Sequence, residues 1–266
     1  MKIIQLQLSP WDKIYTIADT INCQPYNTVV VKTELGLELA QVLEVSEAAS
    51  DTVIDSDLEL QRLANVSDLE SALDIAVKNK VMQDCHNLMK NFKLPMKLVD
   101  LRASIDGSRY TFAFVANGRI DFRDLVKDLT RHFNKTIRLQ QIGIRDEAKM
   151  IGDQGRCGLG LCCRGHLQKF TSVTGDMAEV QNLSNRGSDR LSGSCGRLMC
   201  CLAYEADGYK ASLQSLPALG TKVSYGSKGG QVIALHALKQ AVDVRFPGEK
   251  GEHDYVLELP LNSIKY

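Results

Sequence analysis

The sequence predicts an α+β protein made of several small domains. Short β-branched runs dominate both ends of the chain, two amphipathic helical patterns occupy its middle, and the 266 residues are 44% hydrophobic and 24% charged. These proportions are ordinary for a globular protein, and the length is sufficient for two or more domains. The patterns predict four segments: a β domain at 1–65, an α/β domain at 66–150, a cysteine-rich segment at 151–205 and a small β domain at 211–266.

The first segment carries five short runs that alternate or are β-branched, the pattern of half-buried strands. Leu35-Gly36 is placed to turn the chain between two of these runs. Cys23 stands alone in a polar connection, and we interpret it as structural. The predicted strands cover residues 3–8, 13–18, 28–32, 37–45 and 58–63.

The central segment follows the order helix–strand–strand–helix–strand. Ser67-x-x-Glu70 has the form of a capping box, and the first predicted helix ends before Pro95. Strands are predicted over 96–103, 109–116 and 136–142, with a second amphipathic helix starting at 121. This order predicts a sheet with helices on one face. The apolar face of the first helix comprises Leu69, Ala72, Leu73, Ala76, Val81, Cys85, Leu88 and Phe92.

The cysteine-rich segment holds six of the eight cysteines of the chain. They form two triplets with the same Cys-x4-Cys-Cys spacing, and the second triplet follows the first by 38 positions. Glycines repeat in the same register, Gly155 with Gly193 and Gly158 with Gly196. This repetition predicts a thiolate site with two arms. The first arm is Cys157, Cys162 and Cys163, and the second is Cys195, Cys200 and Cys201.

Thiolates are the ligands that hold zinc and iron–sulfur clusters, four to a structural zinc or a cubane cluster. Neighbouring glycines allow positive φ and leave backbone amides available to the sulfurs. The spacing matches neither zinc fingers nor ferredoxins, and six thiols exceed the four that one site needs. The extra thiols would be available to complete a site shared with another subunit.

Three other interpretations of these cysteines remain open. Inert buried thiols are disfavoured by the repeated spacing, and disulfides are disfavoured because no export signal is recognised. A catalytic or redox thiol would need a depressed pKa, which a sequence does not show.

The last segment carries strand patterns at 223–225, 230–236, 241–246 and 254–259, and it resembles a small SH3-like barrel. His236 and His253 are interpreted as solitary residues without a functional role. We find no dinucleotide fingerprint, P-loop or nucleophile elbow, so the sequence does not predict an enzyme.

Charge and hydropathy give no sign of a membrane or polyanionic partner. Lys plus Arg and Asp plus Glu both number 32. No apolar run approaches the roughly 20 residues of a membrane helix, and we expect a cytoplasmic protein without membrane insertion.

Several stretches resemble the PSP1 C-terminal homology family, and within it the RicT-like regulatory subunits. The first arm departs from the family pattern at Arg156 and at Leu159-Gly160, where the family usually has Pro and Arg-Pro, but all three cysteines are kept. The resembling stretches are residues 94–100, 121–129, 141–150, 181–184 and 192–201.

The resemblance implies a non-enzymatic regulatory subunit in which the six cysteines, or a subset, ligate a [4Fe–4S] cluster. RicT-like proteins act with small helical partner proteins in a complex that influences messenger RNA maturation by an endoribonuclease, and in some bacteria developmental signalling. Two alternatives stay open: a thiol redox protein, and a zinc-binding RNA- or ribosome-associated adaptor using the C-terminal domain with Arg123, Arg131 and Arg138.

Overall fold

The computed structural model describes residues 2–47, 53–70, 74–167, 172–248 and 253–266, and it confirms the α+β class. The chain divides into two compact units, residues 1–152 and 153–266. Within the described ranges, no helix combines the length and apolar character needed to cross a bilayer. The four-segment division of the chain stays a prediction.

The first unit begins with a five-stranded antiparallel sheet of order β2-β1-β4-β3-β5. Alternation along the strands buries one face, where Ile4, Leu6 and Val42 have no exposed surface. Gly36, at φ +114°, opens β4 after the predicted turn. The strands are β1 (Lys2–Gln7), β2 (Tyr15–Asp19), β3 (Thr28–Thr33), β4 (Gly36–Glu47) and β5 (Leu58–Leu63), and all five were predicted within a few residues.

The helical pattern that follows forms α1 (Val66–Glu70) and α2 (Ile75–Lys90), and the predicted capping box is wrong by two residues. The Asp68 amide donates to Asn65 Oδ1 at 2.9 Å, and the Asn65 amide donates to Asp68 Oδ2 at 2.8 Å. The reciprocal bonds therefore use Asn65 and Asp68, because Asx side chains also fit this motif.

The apolar face predicted for this region is confirmed only in α2. Val81 and Cys85 are buried there, whereas Leu69 of α1 is 49% exposed and Ala76, in the first turn of α2, is also exposed. The predicted core positions Ala72 and Leu73 lie outside the described residues. The α1 pattern fails because α1 is a single short turn tied to Arg62 through Asp68 instead of packing on the sheet.

The central sheet has the order β6-β7-β8, with β6 antiparallel and β8 parallel to β7. Its strands are β6 (Met96–Ala103), β7 (Arg109–Ala116) and β8 (Thr136–Gln141), and α3 (Arg123–Phe133) makes the crossover between β7 and β8. Helices α2 and α3 share one core with the sheet, as predicted. That core includes Cys85, Phe112, Leu125 and Leu129, each no more than 1% exposed.

The other face of this sheet was not predicted to be covered. Trp11, from the loop after β1, packs there with Ala113 and Ile142, and its indole N–H donates to Asp100 Oδ2 at 2.8 Å. A further helix, α4 (Ile144–Ile151), ends the first unit.

A buried ion network joins the N-terminal sheet to the central domain. Glu38 is 2% exposed, and its carboxylate lies 2.9 Å from Arg102 Nε and 2.7 Å from Arg109 Nη2. Arg102 also contacts Asp12 at 2.8 Å. A buried carboxylate is tolerated here because both of its oxygens face guanidinium groups.

Among its described residues, the second unit contains three α-helices and a four-stranded antiparallel sheet of order β12-β11-β10-β9. The sheet encloses a core of Val232, Val242, Val244 and Phe246. A bridge between Ser224 and Lys265 returns the chain to the free edge of β9, as a small closed barrel requires. The elements are α5 (Gly175–Val180), α6 (Ser188–Leu191), α7 (Cys200–Gln214), β9 (Lys222–Tyr225), β10 (Lys228–His236), β11 (Ala241–Phe246) and β12 (Tyr255–Pro260).

Candidate thiolate centre

The first cysteine of each arm lies in the same backbone turn. In the first arm the Gly155 amide donates to the Leu159 carbonyl at 2.7 Å, and in the second the Gly193 amide donates to the Arg197 carbonyl at 2.8 Å. These four residues are equivalent under the 38-position repeat. The sequence repeat is therefore also a structural repeat.

Glycine is required directly after each of these cysteines. Gly158 and Gly196 have φ of +80° and +72°, a conformation that glycine adopts without the strain a side chain would add. The first arm departs from the family pattern at Arg156 and Leu159, yet it forms the same turn as the second. The departures therefore do not change the backbone of that arm.

The adjacent cysteines of each arm lie at the start of a helical turn. Cys200 and Cys201 are the first two residues of α7, and Cys162 opens a single turn in which its carbonyl accepts the Leu167 amide at 2.9 Å. The first turn of a helix carries partial positive charge and amides without helical partners. At Cys200 and Cys201 this position favours negative charge on sulfur, but at Cys201 burial outweighs it and raises the pKa of the thiol.

The two arms approach each other within the second unit. The rings of His166, three residues after Cys163, and of Tyr204, three residues after Cys201, meet edge to face at 5.3 Å. The pKa of Cys201 is raised first by burial, then by the negative charges of Glu205 and Cys162. A raised pKa opposes the reactive thiolate that a redox thiol requires.

The six sulfurs lie at different depths. Cys157 is exposed, Cys163 is buried, and the other four are half-buried. Within the described ranges, no three cysteine sulfurs lie mutually within 4.8 Å. Four sulfurs around one zinc would be about 3.8 Å apart, given Zn–S bonds of about 2.3 Å. The donor chemistry fits a soft metal or a cluster, but the arrangement is wider than a single-zinc tetrahedron.

The remaining cysteines take the structural role that was predicted for them. Cys23 and Cys85 are buried in separate cores of the first unit, and burial raises the pKa of Cys85 to about 12. Neither belongs to the unit that contains the two arms.

The interpretation of His236 as solitary is wrong. Its Nε2 lies 2.9 Å from Asp243 Oδ1 and 3.9 Å from Glu258 Oε2. Lys239 also contacts Glu258, at 2.9 Å, so both carboxylates face a basic group. These residues come from neighbouring strands and their turn, and only knowledge of the strand register could have paired them.

Comparison with known proteins defines the class. Residues 59–142 match the PSP1 C-terminal conserved region, and residues 172–216 match the third domain of PSP1-like proteins. The chain belongs to the PSP1 family.

A particular relative extends this match over most of the chain. The chain is 37% identical over 235 residues to Stage 0 sporulation protein YaaT of Bacillus subtilis (strain 168), an alignment that covers 86% of this chain and 84% of that protein. No solved structure matches the chain. The second arm lies inside the matched third domain, whereas the first arm lies between the two matched regions.

Proposed function

We propose that this protein is a non-enzymatic cytoplasmic regulatory subunit whose two cysteine arms hold an iron–sulfur cluster of the [4Fe–4S] type. It would work with small helical partner proteins in a complex that modulates messenger RNA maturation by an endoribonuclease. The sporulation name of the Bacillus subtilis relative is consistent with a regulatory role in development. The observation that carries the proposal is the repeated cysteine turn, together with the contact between His166 beside the first arm and Tyr204 of α7.

The protein supplies ligands and a fixed backbone to this centre. Cys157 and Cys195 are presented by equivalent turns, and Cys162, Cys200 and Cys201 by first helical turns. When bound, a cluster supplies a one-electron centre that is sensitive to oxygen. Ligation from both arms would cross-link residues 153–167 to the start of α7, so ligand binding would contribute folding free energy to this region.

The test is metal and sulfide analysis of protein purified without oxygen. We expect iron and acid-labile sulfide in similar amounts and a broad visible absorbance, which Cys195→Ser or Cys200→Ser abolishes. Cys23→Ala is the matched control, because this thiol is 3% exposed in the core of the other unit. Stoichiometric zinc without iron would reject the cluster and favour a zinc adaptor.

The regulatory role is tested by recovering partners from the native host. Tagged protein should copurify an endoribonuclease and small helical proteins, and Cys195→Ser should reduce that recovery while Cys23→Ala does not. Recovery of neither partner class by cluster-containing protein would contradict the role in RNA maturation and leave the cluster assignment intact.

A further inference from the structure

A basic groove lies on the outer face of the C-terminal sheet. It has a volume of about 730 Å³. Lys222, Gln231 and Arg245 stand directly opposite one another on β9, β10 and β11, and all three line the groove. Lys265 is brought beside them by its bridge to Ser224. Three cationic side chains therefore converge on one surface.

Among the residues that the structure describes, no carboxylate pairs with these cations. Within the described ranges, Lys222, Arg245 and Lys265 form no ion pair. The exposed cations of α3 differ, because Lys127 and Arg131 each contact an aspartate three residues earlier, at 3.0 and 2.8 Å. The chain has equal numbers of acidic and basic residues, so the groove is a local excess of positive charge.

The lining of the groove suits a flat, anionic ligand. Asp254 is the one acidic residue among the described lining residues. Gly229 also lines the groove and has no side chain, and a Cβ built there would meet nothing within 4 Å. Tyr266 lines the groove and is 68% exposed. An exposed aromatic ring beside unpaired cations provides stacking and phosphate contacts together.

We propose that this groove binds single-stranded nucleic acid. Lys222, Arg245 and Lys265 contact phosphates, and Tyr266 stacks on a base. The exposed ring favours nucleic acid over an acidic peptide, because every base offers an aromatic face for stacking. The assignment depends on the C-terminal sheet alone and does not require the thiolate centre.

The test measures binding of the full-length protein to a fluorescent oligouridine of about 12 nucleotides by anisotropy, at about 50 and 200 mM salt. Affinity should fall with salt, and Arg245→Ala with Lys265→Ala should weaken it about tenfold and lower the log–log salt slope by about 0.7 per lost phosphate contact. Tyr266→Phe should bind as the unchanged protein does, whereas Tyr266→Ala should bind about fivefold or more weakly.

The matched control is Lys127→Ala with Lys210→Ala, which removes the same charge from cations that each contact an aspartate three residues earlier. It should leave affinity unchanged, and every variant should keep the unchanged protein's iron content and melting temperature. Salt-independent binding, or equal losses in the groove and control variants, would overturn the proposal. Displacement of the oligouridine by polyglutamate at equal charge concentration would also overturn it and assign the groove to an acidic protein segment.

Discussion

The central domain and the cysteine segment are stabilised in different ways. Phe112 and Leu129 of the central domain have no exposed surface, and two helices cover them. Among the described residues between 153 and 199, the buried hydrophobic residues are Cys163, Leu167 and Ala178. Apolar burial of that size contributes little, so the segment depends on its backbone turns, and the proposed sulfur ligation would add to its stability. The comparison shows that one chain combines a domain with a large apolar core and a segment with little apolar burial.

The largest expected effect is that of removing the proposed metal, which should destabilise the cysteine segment and leave the central domain unchanged. Chelation under reducing conditions should raise protease cleavage between residues 153 and 199 by a factor of about 1000 or more, since structural metal sites contribute on the order of 10 kcal/mol. Cleavage of residues 74–142 should not change. Limited proteolysis with mass spectrometry measures both, and equal sensitisation of the two regions would contradict the comparison.

A substitution in the core of the central domain should destabilise the first unit and leave the cysteine segment unchanged. Leu129→Ala should lower the free energy of unfolding of the first unit by about 2–5 kcal/mol, because a fully buried leucine leaves a cavity. Iron content should be retained. Leu69→Ala is the control at a leucine that is 49% exposed, with an expected change within about 0.5 kcal/mol. Urea unfolding measures the free energy of unfolding of both variants. Equal decreases would show that Leu69 contributes to a core as Leu129 does.

The C-terminal sheet shows whether packing also matters in the second unit. A Cβ added at Gly230 would lie 2.5 Å from Val244 Cγ1 and 2.8 Å from the Arg245 carbonyl oxygen, whereas one at Gly229 would meet nothing within 4 Å. Gly230→Ala should therefore destabilise the unit by about 1–3 kcal/mol through overpacking, and Gly229→Ala should not. Thermal unfolding compares the two. Similar melting temperatures of the two variants would show that the sheet accommodates a Cβ at position 230 without losing stability.

The smallest effect is electrostatic. Hydrogen bonds from Arg62 and from the Asn65 amide lower the pKa of Asp68 to about 2. Because the folded pKa is depressed, this contribution to stability is present above the unfolded pKa and is lost as pH falls from about 4 to about 2. Asp68→Asn should lower the melting temperature at neutral pH, and its difference from the unchanged protein should disappear near pH 2.

Asp124→Asn, at an exposed ion pair on α3, is the control and should change little at any pH. A pH-independent deficit in Asp68→Asn would mean that the carboxylate acts through packing instead of charge.

The sequence predicted elements where burial imposes a period. Strands such as β4 matched because alternate residues face a core, and α2 and α3 matched at their apolar faces. The prediction failed where a single polar contact determines the start of a helix: the capping residue is Asn65, whereas Ser67 was predicted. Trp11 could not be assigned to the central domain, because its aspartate partner lies 89 positions further along the chain.

The candidate site was predictable in composition and less so in geometry. The repeat pairs Cys163 with Cys201, yet Cys163 is buried and Cys201 is half-buried. The first arm continues from Cys162 as one helical turn, while the second continues as the 15-residue α7. Equal spacing therefore leads to unequal surroundings, which no periodic pattern encodes.

Helix α7 begins at two cysteines, and the residues at its far end pack into the core of the C-terminal sheet. Its 15 residues span about 22 Å, and Leu213 and Leu216 contact that core. A helix of this length moves as a rod, so a tilt imposed at the sulfur end is delivered to the sheet as a displacement of its hydrophobic anchor. Helix α7 thus connects the two cysteines rigidly to the hydrophobic core of the C-terminal sheet.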